Sequence, residues 1–195
     1  MERSRRPAGF PTGRVRGKLI TMTSDAQDPA CEVAHGHAAS PAHGRTLVAV
    51  FFSPVAGLLL RYGRDAGFRP VLVEPDPARA EAARAAGLAA DSGGLQSAGD
   101  DTDVVVTDHH RPELGAMLRD ALDSKARWIG VMGNPRHPAP HIPALAALGV
   151  PPGEIERIHR PIGLNIGSRT PAEIAIATLA GLIADRNDRP GGFSF

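Results

Sequence analysis

The sequence is sparing with the residues that usually announce a chemistry. One cysteine, Cys31, among 195 residues excludes an intrachain disulfide and any metal cluster built from cysteines alone. Such sparing use fits a reducing, cytoplasmic setting. Aromatic residues make up 4% of the chain and Trp128 is its single indole, so Ala, Val, Leu and Ile must fill the core. The net charge of +1 gives no general argument for a nucleic-acid partner. The longest apolar run, residues 55–60, is far too short to cross a bilayer, and no membrane segment is expected. Also missing is the glycine fingerprint of a dinucleotide-binding turn. After the first apolar run the chain reads Phe51-Phe52-Ser53-Pro54-Val55-Ala56-Gly57, where glycines would permit a tight turn and close approach of a pyrophosphate. Ordinary NAD or FAD binding is therefore disfavoured.

What remains is a chain long enough for one ordinary domain and a tail, with a hydrophobic fraction of 42% that suits a folded protein. Residues 1–45 differ from the rest. Arg3, Arg5, Arg6, Arg14, Arg16 and Lys18 precede Met22, with Glu2 the only acid among them. No signal-peptide core follows. The expectation is a disordered leader, with Met22 an alternative start; an organelle transit peptide is the other reading of an arginine-rich, acid-poor segment. Cys31, His35, His37 and His43 are close in sequence, but their spacing matches no structural zinc pattern.

From residue 46 onward apolar runs alternate with helical patterns. Runs 46–52, 70–74, 103–107 and 127–132 read as buried strands. Helices are expected at 54–65, 78–86, 111–124, 142–148 and 171–185, most of them opened by a proline. A turn of helix is expected at 153–157. The alternation predicts a doubly wound α/β domain over 46–186, with a mainly parallel sheet between two helical layers in the Rossmann manner. Residues 187–195 form a short flexible tail. In such folds ligands bind beyond the carboxyl ends of the strands, so the residues that follow each strand become the site candidates.

Glu74 follows the second strand, where an acid would grip a ribose hydroxyl, or simply ends the strand. Thr107, Asp108, His109 and His110 follow the third. They suit metal ligation or acid–base work, or else Asp108 caps a helix beside two exposed histidines. Gly133, Asn134, Pro135 and Arg136 follow the fourth, and Arg136 either meets a phosphate or pairs with a surface carboxylate. The densest stretch is 158–173. Thr170, Pro171 and Glu173 make a capping box with proline at the first helical position. A helix N-terminus fed by a glycine-bearing loop with Arg169 before the cap suits an anion. Gly163, Asn165, Gly167, Ser168, Arg169 and Thr170 are the residues of that anion end; the alternative is a well-capped junction and nothing more. Ser168 has neither a nucleophile elbow nor an evident His/Asp partner, so no hydrolase triad is expected.

The run Ile158-His159-Arg160-Pro161-Ile162-Gly163-Leu164-Asn165-Ile166-Gly167-Ser168-Arg169-Thr170-Pro171-Ala172-Glu173-Ile174-Ala175, with Trp128-Ile129-Gly130-Val131-Met132-Gly133 before it, closely resembles the C-terminal Rossmann domain of XdhC/CoxI proteins. Leu72-Val73-Glu74-Pro75 and Val105-Val106-Thr107-Asp108-His109 resemble that family's other strand ends, in the same order. The resemblance covers about residues 46–186. It implies an accessory factor for a molybdenum hydroxylase of the xanthine or carbon monoxide dehydrogenase type, not itself part of the finished enzyme. Its ligand would be the molybdenum cofactor, molybdopterin, a pterin carrying a phosphate and sometimes extended by a nucleotide. Its partners would be this phosphorylated pterin and the client hydroxylase, with a homodimer kept open. Three departures stand out. The family's first loop, commonly GAGHVA, is Phe51-Phe52-Ser53-Pro54-Val55-Ala56 here. The fourth-strand loop GSRRK is Gly133-Asn134-Pro135-Arg136-His137. The family's cysteine-bearing N-terminal segment has no counterpart, and Cys31 does not match it. Two rival readings stand beside this one: a nicotinamide-dependent oxidoreductase, and a non-catalytic interaction module that keeps the fold without the small ligand.

Overall fold

The computed structural model describes residues 29–38, 44–134 and 136–192. The chain divides into two compact units, Met1–Pro41 and Ala42–Phe195. In the first, helix α1 (Pro29–Ala34) carries an exposed Cys31, so this part of the expected leader is helical. The arginine-rich run, Met22 and His43 lie outside the described residues. Among the described residues, no three His, Cys, Asp or Glu side chains gather as a metal-binding group.

The second unit is the expected doubly wound α/β fold. Strands β1 (Thr46–Val50), β2 (Arg69–Val73), β3 (Ala90–Asp91), β4 (Thr102–Val106) and β5 (Trp128–Val131) form one sheet in the order β3-β2-β1-β4-β5, every pair parallel. Both faces are covered, so side chains alternate between two apolar layers. Val48, Val50, Val104, Val106, Ile129 and Val131 face helices α4 (Leu114–Asp123) and α5 (His141–Ala147), with the short α6 (Pro152–Ile155) beside them. Leu47, Ala49, Leu72 and Val105 face α2 (Pro54–Asp65), α3 (Pro77–Ala85) and α7 (Pro171–Arg186). Helix α2 comes close to the sheet at Gly63, where a Cβ would lie 2.6 Å from a Leu47 methyl.

The strands end earlier than the apolar runs suggest. Phe51 takes φ 73°, which turns the chain out of the sheet one residue after Val50. Ser53 then caps α2, its hydroxyl accepting from Ala56 N–H at 3.1 Å with Pro54 at the first helical position. Helix α4 begins three residues later than expected, because Arg111 to Glu113 form a separate turn closed by Leu114 N–H on the Arg111 carbonyl. Strand β3 was not expected; it has two residues and a single partner strand.

At the amino ends of the strands, Asp103 is fully buried between the guanidiniums of Arg45 and Arg127, and Arg127 also pairs with Asp185 of α7. Burial pushes the Asp103 carboxyl above its ordinary range, against the pull of both arginines. At the opposite ends, residues 158–160 return along the free edge of β5. His159 N–H donates to Ile129 O at 2.9 Å, and Val131 N–H donates to His159 O at 3.0 Å. The Trp128 indole stacks on the His159 ring at 5.0 Å and 7°. This edge pairing delivers residues 161–170 as a strap over the carboxyl ends of β4 and β5.

Candidate functional site

The strand order reverses between β1 and β4, in a sheet whose strands all run the same way. A cleft of about 960 Å³ opens at these carboxyl ends. Its floor is apolar, from Val55, Met132, Ile162, Ile174 and Ala177. Its polar groups come from the turn after β4, the turn after β5 and the strap. Of the residues singled out in the sequence, Thr107, Asp108, His109, Gly133, Arg136, Gly163, Asn165, Gly167, Ser168 and Arg169 line it. Glu74 and Thr170 do not.

Glu74 requires a correction. Its side chain is fully buried and both oxygens turn back into the protein. Oε2 accepts from Phe52 N–H at 2.8 Å; Oε1 accepts from Asp76 N–H at 3.1 Å and from Arg79 Nε at 3.0 Å. Arg79 in turn donates to Glu113 at 2.8 Å. Burial works to raise the Glu113 carboxyl, but its bond to Arg79, its own backbone N–H and the Arg79 charge bring it below the ordinary value. Glu74 is thus a brace for the first turn, its carboxylate fully buried and out of reach of a ribose in the cleft.

Thr170 is corrected on similar grounds. Its hydroxyl accepts from Glu173 N–H at 3.2 Å. The Glu173 carboxylate reaches back to Arg169 N–H at 2.6 Å and Thr170 N–H at 3.1 Å. These N–H groups hold the Glu173 carboxyl below its usual range. Ser168 Oγ donates to the Glu173 carbonyl at 3.3 Å. The backbone groups expected to meet an external anion at the head of α7 therefore meet a carboxylate of the chain itself.

Gly163 has a packing role. At φ 82°, a Cβ would lie 2.9 Å from the backbone of Ala177 and Thr178, and Leu164 N–H donates to Ala177 O at 3.0 Å. Gly181 of α7 comes equally close from the other side, its own Cβ position 3.0 Å from Gly163 Cα. The strap is thereby seated on the flank of α7. Gly167, at φ 71°, turns in open space.

Thr107 stitches β4 to β1. Its hydroxyl lies 2.9 Å from Phe51 O and 3.1 Å from both Val50 O and Ser53 Oγ. Asp108 closes its own turn, accepting from His110 N–H at 3.0 Å and pairing with Arg111 Nε at 2.9 Å. Asp108 thus closes a turn and caps no helix, since α4 begins at Leu114 with Glu113 at its N-cap; His109 is half-buried and His110 exposed. Arg111 also reaches Phe52 O at 3.3 Å. The His109 imidazole lies 4.1 Å from the His110 ring. Burial foremost, then the His110 and Arg160 charges, lower its pKa; a hydrogen bond to the Met132 backbone opposes them.

Arg160 organises the site, although nothing in the motif singles it out. Its Nη2 donates to the carbonyls of Asn134 at 3.0 Å, Pro138 at 3.1 Å and His137 at 3.3 Å. It binds the turn after β5 to the strap. Gly133 is the residue that permits this, since a Cβ there would fall 2.8 Å from Arg160 Nε. His141, 4% exposed, lies in the same neighbourhood, with an unpartnered Nδ1. Burial, then Arg160 and His109, lower its pKa.

The free cations are Arg136 and Arg169. Both hydrogen-bond through their backbone N–H groups. Among the described residues neither guanidinium has an ion-pair partner. The site is an apolar cleft with two guanidiniums at its rim, beside a first turn closed by its own carboxylate.

Fold and cleft together define a doubly wound domain of the nucleotide-binding type whose first turn departs from the pattern. The chain belongs to the XdhC family: residues 47–182 match the model of the XdhC Rossmann domain. The uncharacterized protein YqeB of Escherichia coli strain K12 is 38% identical over 78 residues, 38% of this chain and 14% of YqeB. A solved structure from Bacillus halodurans, described as a xanthine dehydrogenase, superposes with a TM-score of 0.57. It is 22% identical, over 77% of this chain and 45% of that one, a likeness in fold. The chain thus spans less than half the length of either protein. No helix among the described residues is long and apolar enough to cross a membrane.

Proposed function

We propose that this chain is an accessory factor in the maturation of a molybdenum hydroxylase, and that its cleft holds the phosphorylated pterin of the molybdenum cofactor. Membership of the XdhC family supports the accessory role. The observation that carries the ligand is the pairing of an apolar cleft of about 960 Å³ with two unpartnered guanidiniums at its rim. The donor set suits the group. Arg136 and Arg169 would take the phosphate in forked, charge-assisted bonds. Val55, Met132, Ile162 and Ile174 would cover the faces of the pterin, and the Asn134 and Asn165 amides offer polar partners for its edge. When bound, the cofactor brings its dithiolene sulfurs and molybdenum; the chain's part is to hold and shield it. Among the described residues that line the cleft there is no cysteine, so these side chains offer no thiol to carry sulfur. The reading extends to a client hydroxylase as partner and to action in the cytoplasm.

Anaerobic calorimetry with molybdopterin tests it. Saturable binding is expected, weakened about tenfold or more in Arg169→Ala, the size of a lost charge-assisted contact. A flat isotherm with wild-type protein sinks the proposal. The closed first turn favours one rival, an interaction module without a small ligand. Co-purification of a partner protein together with that flat isotherm would select it.

A further inference from the structure

The strap is held from two sides. Gly163 and the Leu164 N–H seat one side on the flank of α7. The other side meets the residues that follow α7, which lie beyond the family match over residues 47–182. There the chain reverses. Helix α7 ends at Arg186 with Asn187 as its C-cap, and Asp188 takes φ 52°. Asp188 N–H donates to Asp185 O at 3.2 Å, and Arg189 N–H donates to Ala184 O at 2.8 Å. These are the paired bonds of a Schellman turn, with an aspartate in the left-handed place that glycine usually takes. Pro190 follows and stops any continuation of the helix. The turn lays Gly191 against the strap. At φ 74°, a Cβ on Gly191 would lie 2.7 Å from Leu164 Cδ2 and 3.7 Å from Ala184 Cβ. Behind the strap, between Leu164, the Trp128–His159 stack and Arg189–Pro190, lies a cavity of about 260 Å³. Pro161, Ile162, Gly163, Leu164 and Thr178 line both this cavity and the main cleft. The strap is therefore a wall one chain thick, with free space behind it.

We infer that the turn after α7 is a latch: Gly191 against Leu164 holds the strap over the cleft, and its release lets the strap move into the rear cavity. The strap supplies Asn165, Ser168 and Arg169 to the cleft wall, so the latch sets the position of the rim. Arg189 and Pro190 are exposed, and the latch is thus reached from solvent without entering the cleft. A lid needs such a contact, local and separable from the core, because a wall fixed by the core could open only with the whole domain.

Amide hydrogen exchange on the full chain tests this with no ligand present, so its outcome is separate from that of the pterin reading. The Leu164 N–H, bonded to Ala177 O at 3.0 Å, reports the seat of the strap. Gly191→Val sets a branched side chain at a left-handed φ and against Leu164. Exchange at Leu164 should quicken about tenfold or more, while the amides of β1 and β4 change by less than about threefold. An unchanged rate at Leu164 overturns the inference. Equal quickening of the sheet amides also overturns it, since the turn would then be a general prop of the fold. Gly192→Val is the control. Gly192 has φ 97° and nothing within 4 Å of its Cβ position, so the variant carries similar backbone strain without the contact. Its Leu164 rate should stay within about threefold of wild type. Quickening as large as in Gly191→Val would show that strain in the tail, and not the contact with Leu164, moves the strap, and would overturn the latch.

Discussion

The turn after β1 and the strap before α7, both at the carboxyl ends of the strands, use the same device with opposite results. In each, a glutamate of the chain caps backbone N–H groups that another protein of this architecture would offer to a ligand: Glu74 at Phe52, Glu173 at Arg169 and Thr170. Glu74 is fully buried and immobilised by Arg79, so the first turn is closed and acidic. Glu173 is exposed, and the strap carries an unpaired Arg169 beside it. On the proposed reading, anion recognition in this cleft has passed from backbone to side chain. A site made of guanidiniums is more sensitive to salt, and more easily lost by one substitution, than a nest of N–H groups.

The largest effect should come from Glu74→Ala, which leaves Phe52 N–H and Asp76 N–H without their acceptor and takes from Arg79 its buried partner. Roughly 3–5 kcal/mol of stability should be lost, as when one partner of a buried pair is removed. Urea unfolding measures it, and a loss below about 1 kcal/mol would contradict the bracing role. Gly163→Ala comes next, at about 3 kcal/mol, because the new Cβ would strike the backbone of α7 at a left-handed φ. Gly167→Ala, also left-handed but in open space, should cost only about 1 kcal/mol. Equal costs at the two glycines would show that the strap is not seated as described.

Arg160→Ala should cost about 1–2 kcal/mol for the carbonyls it releases, and should weaken pterin binding although Arg160 does not line the cleft. Arg160→Lys should not restore that binding, since a point charge cannot span three carbonyls. Full rescue by lysine would mean that charge alone matters. The smallest effect is in pH. His109 and His141 have folded pKa values below the ordinary 6.5, so the unfolded chain takes up their protons first. Their contribution to stability is present above about pH 6.5 and is lost as pH falls through the folded values. His141→Gln should flatten this slope in urea titrations between pH 7 and 5; an unchanged slope would remove His141 from the account.

Much of the fold was legible because a parallel sheet buried on both faces writes itself as continuous apolar runs, and because prolines mark the helix starts. Strand β3 was not legible, since two residues carry no period. The capping box at Thr170 and Glu173 is plain in the sequence; that the Glu173 carboxylate also takes the Arg169 N–H is not. The signature that predicts an anion-binding helix end also supplies the carboxylate that fills it. Glu74 shows a different limit: its position after a strand places it at the carboxyl end of the sheet, while the direction of its side chain depends on Arg79, five residues on and held by Glu113 from a third element. Arg160 escaped for the same reason, its partners lying 22 to 26 residues away in the turn after β5.

A crystal structure of the full chain grown anaerobically with molybdopterin tests the central claim most directly. The account predicts the phosphate between the Arg136 and Arg169 guanidiniums, with Glu74 still bonded to Phe52 N–H and Arg79. Phosphate density on the first turn, with Glu74 swung away from Phe52 N–H, would contradict it.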